Sequence, residues 1–267
     1  LNGKIKKYGL KNQIMFENEN LTGKYSQPVL GIISLFPEMF IPWMSLGVLS
    51  KVFSSPEICN FSVNLINLRD FGEGPHKIVD GRPCGGGPGM VLRADVLDNA
   101  MQTFLEKQGS DSLIFCLSPR GTPWNESQCV FWHEQLFPEG RLAKSCLFIC
   151  GRYEGIDERL LSCYDPIYLS VGDFILTGGE VALMAILESI LRKIPQVLGD
   201  SNSALQDSFG QYKKGLLDHP VYTRPLDFKG LQVPEILFSG HHQQIESFRE
   251  KQSLEVTRCY RPDIYTS

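Results

Sequence analysis

Glycine collects where this chain has the makings of a ligand site. Gly85-Gly86-Gly87-Pro88-Gly89, Gly151-Arg152-Tyr153-Glu154-Gly155 and Val171-Gly172-Asp173-Phe174-Ile175-Leu176-Thr177-Gly178-Gly179-Glu180 are the three dense segments. Glycine permits positive φ and lets a main chain approach a ligand closely. The second and third segments follow apolar runs, and Leu117-Ser118-Pro119-Arg120-Gly121 closes another run in the same way. Open parallel sheets bind ligands outside the carboxyl ends of their strands, which is where such turns fall. The first segment is open to two readings, a structural crossing or loop and a direct ligand contact. Several familiar chemistries are missing their signatures. There is no Gly-x-Gly-x-x-Gly after the first strand, no Gly-x-x-x-x-Gly-Lys-Ser/Thr and no Gly-x-Ser-x-Gly. A dinucleotide site, a P-loop and a serine hydrolase are therefore poorly supported. His241 and His242 are adjacent rather than four apart, the wrong spacing for a zinc helix.

The elements that must position these loops alternate. Strand-type runs are expected at Val29–Leu35, Phe61–Leu68, Leu113–Leu117, Cys146–Cys150 and Pro166–Val171. Helical patterns lie between them at Ala94–Lys107 and at Trp124–Phe137, the latter with Thr122-Pro123 as cap and first helical residue. Continuous apolar strands joined by helices predict an α/β fold with a parallel sheet covered on both faces. Glu180–Lys193 is the strongest helix, with Val181, Met184, Leu187, Ile190 and Leu191 at helical spacing, and it stops before Pro195. Gly199-Asp200-Ser201-Asn202-Ser203 and the polar Gln206–Lys214 then have a linker's composition. Beyond them an amphipathic helix is expected around Gln243–Leu254.

The 267 residues are 42% hydrophobic and carry a net charge of −4, enough for a large core and too apolar for disorder. No apolar run approaches the roughly 18–20 residues of a membrane span. The eight cysteines contain no Cys-x-x-Cys, and Cys116, Cys146 and Cys150 fall in apolar runs. Free thiols in a reducing cytoplasm are the expectation, with no metal site. Leu1–Tyr25 has five lysines and no arginine. Residues 1–28 are thus expected to be a flexible N-terminal extension, and neither a signal nor a transit peptide. Residues 211–267 carry eight Lys and Arg against seven Asp and Glu, so the tail is basic relative to the rest. That asymmetry fits either a polyanion site or solvated surface.

Together the motifs resemble one family. Gly31-Ile32-Ile33-Ser34-Leu35-Phe36-Pro37-Glu38-Met39-Phe40, Gly85–Met90, Gly151–Arg159, Gly172–Glu180, Asp207-Ser208-Phe209, Tyr222-Thr223-Arg224-Pro225 and Ser239-Gly240-His241-His242 are similar, in order, to the bacterial tRNA (guanine-N1)-methyltransferases of the TrmD family. The resemblance implies a SPOUT-like α/β domain with a deep trefoil knot at 29–199. It further implies a linker at 200–217 carrying a catalytic Asp, and a small helical tRNA-binding domain at 218–267. It implies S-adenosylmethionine as methyl donor, held by Leu117, Ser118, Pro119, Gly151, Tyr153, Val171, Gly172, Asp173, Phe174, Ile175, Leu176, Gly178 and Gly179. Asp207 matches the family's general base, Arg192 its charge-stabilising arginine, and Glu154 a group near the target guanine or the methionine moiety. In isolation Asp207 reads as a helix N-cap, Arg192 as a cation favoured at a helix C-terminus, and Glu154 as an acidic residue opening a helix from Ile156. Ser208, Arg224, His241, His242 and Arg249 are the expected RNA-facing groups for the anticodon arm, with guanine 37 as target. The family works as a homodimer with a shared site. Magnesium is associated with it, although no carboxylate cluster here defines a cage. Phe174 and Cys84 stand where the family commonly has Tyr, and Phe248 where it commonly has Trp. A related knotted methyltransferase acting on another RNA base, and an inert RNA-binding module, are the competing readings.

Overall fold

The computed structural model describes the backbone of residues 14–16 and residues 27–55, 57–58, 60–199 and 207–265. The chain divides into two compact units, 1–198 and 199–267.

The first unit is built on one parallel sheet. Its strands are β1 (Ile14–Phe16), β2 (Val29–Ser34), β3 (Ser62–Asn67), β6 (Leu113–Pro123), β7 (Cys146–Ile149) and β8 (Ile167–Ser170), in the order β1-β3-β2-β7-β6-β8; β4 (Asp80–Gly81) and β5 (Val91–Leu92) form a small antiparallel ribbon. All five strand runs expected from the sequence pair in parallel. Of the stretch expected to be a flexible extension, Ile14–Phe16 is described, and its backbone pairs in parallel with β3; Gln27 and Pro28 lead into β2, and the rest lies outside the described residues.

Every residue of β2 is buried, because helices cover both faces. Leu30 and Ile32 join Phe115, Cys146 and Phe148 in a core beneath α1 (Phe40–Ser45), α2 (Ser50–Ser54), α4 (Glu126–Leu136) and α6 (Gly179–Leu191). Val29 and Ile33 join Leu147 and Ile149 beneath α3 (Ala94–Gln108) and α5 (Glu158–Tyr164). The two-residue alternation along each strand sorts the side chains between these cores. Gly31 admits the Phe104 ring of α3, which would lie 2.4 Å from an added Cβ.

One helix boundary differs from expectation. Thr122 and Pro123 do not open a helix; they resume β6, with Thr122 opposite Leu169 and Pro123 opposite Ser170. Leu117 is also opposite Leu169, so Ser118–Gly121 bulges out of the ladder between two stretches of one strand. Helix α4 starts later, capped by Asn125, whose side-chain oxygen accepts the Gln128 N–H at 3.0 Å.

In the second unit, residues 207–216 form a closed turn rather than an extended connector. The Phe209 N–H donates to the Leu216 carbonyl at 2.7 Å, and the Ser208 hydroxyl accepts the Asp218 N–H at 2.9 Å. Residues 200–206 of the expected linker lie outside the described residues. A short hairpin, β9 (Asp227–Phe228) and β10 (Leu231–Gln232), turns through Lys229 and Gly230, both at positive φ. The last helix, α7 (His242–Tyr260), runs longer than its amphipathic core predicts. Its buried Ser253 and Thr257 clasp Leu217: the Thr257 hydroxyl accepts the Leu217 N–H at 3.0 Å, and the Ser253 hydroxyl donates to the Leu217 carbonyl.

Candidate active site

Between the bulge of β6 and the carboxyl ends of β7 and β8, beside the start of α6, a cleft of about 550 Å³ opens. Its walls are the bulge with Ser118, Pro119 and Arg120, the turn 151–156, and the loop 170–179. Of the residues expected to hold a cofactor, Leu117, Ser118, Pro119, Gly151, Tyr153, Val171, Gly172, Phe174, Ile175, Leu176, Gly178 and Gly179 line it; Asp173 belongs to the same loop without lining the cleft. Glu154 also lines it.

Glycine is needed here for room. A Cβ on Gly179 would lie 2.9 Å from the Cys150 Cα and 3.1 Å from the Leu117 Cβ, because the start of α6 docks on the bulge of β6 and the end of β7. There the Gly179 N–H donates to the Gly151 carbonyl at 2.9 Å. A Cβ on Gly121 would lie 2.5 Å from the Leu169 backbone, so only glycine lets the bulge return against β8. The 85–89 segment obeys a different rule. Gly85, Gly86 and Gly87 have positive φ and open space around them, so their demand is conformational and no chain crosses closely among the described residues. These three glycines do not line the cleft; Gly89 packs against the Glu154 side chain and backs its wall.

Two ion pairs frame the cleft. Arg120 reaches Glu158 with both terminal nitrogens, at 3.2 and 3.0 Å, and lies 4.6 Å over the Tyr168 ring. The Glu158 hydrogen bond raises the Arg120 pKa. The second pair is buried and joins Arg152 to Glu180, which is 1% exposed. Arg152 Nε–H donates to both Glu180 oxygens, at 3.2 and 3.1 Å, and the Ser34 hydroxyl donates to Glu180 Oε1 at 2.7 Å. Gly178 leaves space for this pair, since a Cβ there would lie 2.2 Å from Arg152 Nε. Sequence reasoning passed over Arg152, Glu180 and Ser34. The one available signal was a Glu heading an otherwise apolar helix.

Cys116 borders the cleft and Cys150 lies behind it. Burial pushes the Cys116 thiol up to about 12 and raises that of Cys150 well above its ordinary value, the latter helped by the Glu180 charge. Neither ionises near neutral pH. Among the described residues, Cys129 and Cys146 are also buried free thiols, whereas Cys84, Cys163 and Cys259 are exposed; Cys59 lies outside the described residues.

The remaining candidates are not among the residues lining the cleft. Arg192 is half-buried at the C-terminal end of α6, roughly 15 Å along the helix from Ala182, the last residue of α6 to line the cleft, at 1.5 Å per residue. Asp207, Ser208, Arg224, His241, His242 and Arg249 all belong to the second unit. There the half-buried Asp207 opens the closed turn, its carbonyl accepting the Gly210 N–H at 3.1 Å. His241 and His242 are exposed at the start of α7, and Arg249 pairs loosely with Glu246 at 3.8 Å on that helix.

The profile of the family described as "tRNA (Guanine-1)-methyltransferase TrmD" matches residues 29–267. The chain belongs to the TrmD family. A relative from Brevibacillus brevis, named tRNA (guanine-N(1)-)-methyltransferase, is 41% identical over 88% of this chain and 90% of its own length. Relatives of the same name from Albidiferax ferrireducens and Bacillus pumilus are each 40% identical, over 87% and 89% of this chain and 90% and 92% of their own. In this TrmD-family chain no helix among the described residues is long and apolar enough to cross a membrane.

Proposed function

We propose that this chain transfers a methyl group from S-adenosylmethionine to N1 of guanine 37, beside the anticodon of tRNA. The observation that carries the reading is the cleft: main-chain turns and apolar side chains gathered at the bulge of β6 and the ends of β7 and β8, in a member of the TrmD family. Its volume of about 550 Å³ suits a nucleoside-sized ligand. Leu117, Val171, Ile175 and Leu176 offer apolar surface for rings, and the glycine turns let main chain come close to adenine edges and ribose hydroxyls. The bound donor supplies a methyl group already activated on a sulfonium.

The protein's own tasks follow. It must align guanine N1 in line with that methyl, accept the N1 proton, and offset negative charge growing towards O6. Asp207 takes the proton and Arg192 offsets the charge. Glu154, projecting from the cleft wall, orients the guanine or the donor's amino-acid end. Cys116 stays protonated through burial, so no thiolate beside the cleft competes for the methyl group. The base lies in the second unit and the arginine at the far end of α6. The resemblance to the family supports a homodimer whose site draws on both protomers, and a knot threading these loops fits the close approaches at Gly121 and Gly179. Ser208, Arg224, His241, His242 and Arg249 face the anticodon arm. The free thiols suit a cytoplasmic enzyme. Among the described residues no three His, Cys, Asp or Glu side chains converge to hold a metal ion, so no step is assigned to magnesium.

The test is incubation with unmodified tRNA and labelled methyl donor, followed by nuclease digestion to locate the label. Label in 1-methylguanosine at position 37 is expected. Asp207→Ala should retain donor binding and lose methylation, and Arg192→Ala should lower turnover more than donor affinity. Normal turnover by Asp207→Ala would refute the assigned base.

A further inference from the structure

The proton and methyl transfer proposed above make no use of Arg152, Glu180 and Ser34, yet these form the most thoroughly buried charged group beside the cleft. We infer that they are positioning residues, which hold the cleft's two glycine loops in the geometry that binds the methyl donor. The inference rests on the reading of the cleft as the donor site.

Three segments meet at this group: the end of β2, the turn after β7 and the loop entering α6. Glu180 is 1% exposed and Arg152 17%. A carboxylate so placed needs strong partners, which the Arg152 fork and the Ser34 hydroxyl provide. The Ser34 hydroxyl also accepts the Phe36 N–H at 2.8 Å, tying the segment after β2 to the same group. The rest of the guanidinium is equally engaged. Its Nη1 donates to the Thr177 carbonyl at 3.3 Å, and its plane lies 4.6 Å over the Phe36 ring. Backbone pairing of Arg152 with Gly178 completes the attachment between the two loops.

The first loop is tied to residues 90–92, where the Glu154 N–H donates to the Met90 carbonyl and the Leu92 N–H to the Gly155 carbonyl, each at 2.9 Å; the Arg152 group is what ties it to the second loop. Tyr153, next to Arg152, has φ +60 and Gly155 φ +130, and a non-glycine residue in that region persists only where its surroundings fix it. Phe174, Ile175 and Leu176 are exposed, so little packing holds the other loop. A buried ion pair is weak support for stability in general, and apolar residues of the same volume often serve as well. What an arginine fork adds is direction: it fixes the carboxylate, the Thr177 carbonyl and the Phe36 ring relative to one another.

A simple charge pair and a directional clamp respond differently to Arg152→Lys. Lysine keeps a cation beside Glu180 but cannot also reach the Thr177 carbonyl and stack on Phe36. The expected result is a thermal midpoint close to the parent's, with the Kd for S-adenosylhomocysteine by calorimetry and the KM for the methyl donor both raised roughly 10- to 100-fold, the scale of a misplaced binding group. Parent-like Kd and KM in a folded Arg152→Lys protein would overturn the inference while leaving the reading of the cleft intact. Absence of binding by the parent chain would overturn both. Ser34→Ala is a gentler change that keeps the pair and removes one hydroxyl. It should raise the Kd several-fold with the fold retained, and an unchanged Kd there also counts against the clamp.

Discussion

Replacing Gly121 by alanine tests how the bulge builds the cleft. The new Cβ would lie 2.5 Å from the Leu169 backbone N and C. Backbone cannot rotate away as a side chain can, so the bulge and β8 must separate by about 1 Å to reach ordinary carbon contact. Overpacking of this kind costs about 1–3 kcal/mol. The adjoining bond from the Trp124 N–H to the Ser170 carbonyl, 2.7 Å long, is strained as well, adding about 1 kcal/mol if it is lost. A total near 2–4 kcal/mol is a large share of the roughly 5–15 kcal/mol that a folded domain has. Trp43, Trp124 and Trp132, the chain's three tryptophans, all lie in the first unit, so their fluorescence in urea reports on this unit. The midpoint should fall by about 1 M, given slopes of about 1–3 kcal/mol per M. Donor affinity should weaken with it, since Ser118, Pro119 and Arg120 of the same bulge form one wall. Gly85→Ala is the contrast. It meets open space at φ +90, so its cost is conformational, about 1–2 kcal/mol, and donor affinity should not change. A Gly121→Ala midpoint equal to the parent's would refute the steric account.

Thr257→Val removes the hydroxyl that accepts the Leu217 N–H, at a cost of about 1–3 kcal/mol for the orphaned donor. Amide exchange at Leu217 should accelerate, and turnover should fall while donor affinity holds, because the cleft is in the other unit; unchanged exchange would contradict the clasp. His133 is held neutral by burial, with its pKa lowered and its Nδ1 3.2 Å from the Ile190 carbonyl. A depressed histidine pKa favours the folded state fully above the unfolded value of about 6.5, and that advantage is lost as pH falls below it. His133→Asn, which keeps a donor and does not titrate, should show a shallower fall in thermal midpoint between about pH 7 and pH 5; an identical pH profile would remove His133 from the account. Finally, a thiol reagent should modify Cys84, Cys163 and Cys259 in the native protein and spare Cys116, Cys129, Cys146 and Cys150 until denaturant is added. Peptide mass mapping reads this directly, and native labelling of Cys146 would contradict the packed core.

Much of the sheet is legible in the sequence because its strands are buried on both faces and so appear as unbroken apolar runs. The glycine turns are legible for a related reason, since close main-chain approach at Gly121 and Gly179 and positive φ at Gly85, Gly86 and Gly87 both call for glycine. The bulge is not. Ser118-Pro119-Arg120-Gly121 looks like the end of a strand and Thr122-Pro123 like the start of a helix, because local chemistry cannot reveal that the same strand resumes opposite Leu169. Arg152 and Glu180 were missed for a similar reason. They are 28 positions apart, and charged residues beside glycine turns read as solvent-facing until the fold brings them together. The closed turn at 207–216 is hidden by its polar composition; its order comes from main-chain bonds and from the hydroxyls of a helix some forty residues later.

Five of the residues lining the cleft are glycines, and at two of them, Gly178 and Gly179, any added side chain would collide with its neighbours. A small molecule that competed for this space by matching main-chain donors and acceptors would meet a target with little freedom to mutate away. Resistance through Gly178 or Gly179 would place a methyl group against the Arg152 guanidinium or the end of β7, so escape would damage the enzyme along with the drug's foothold.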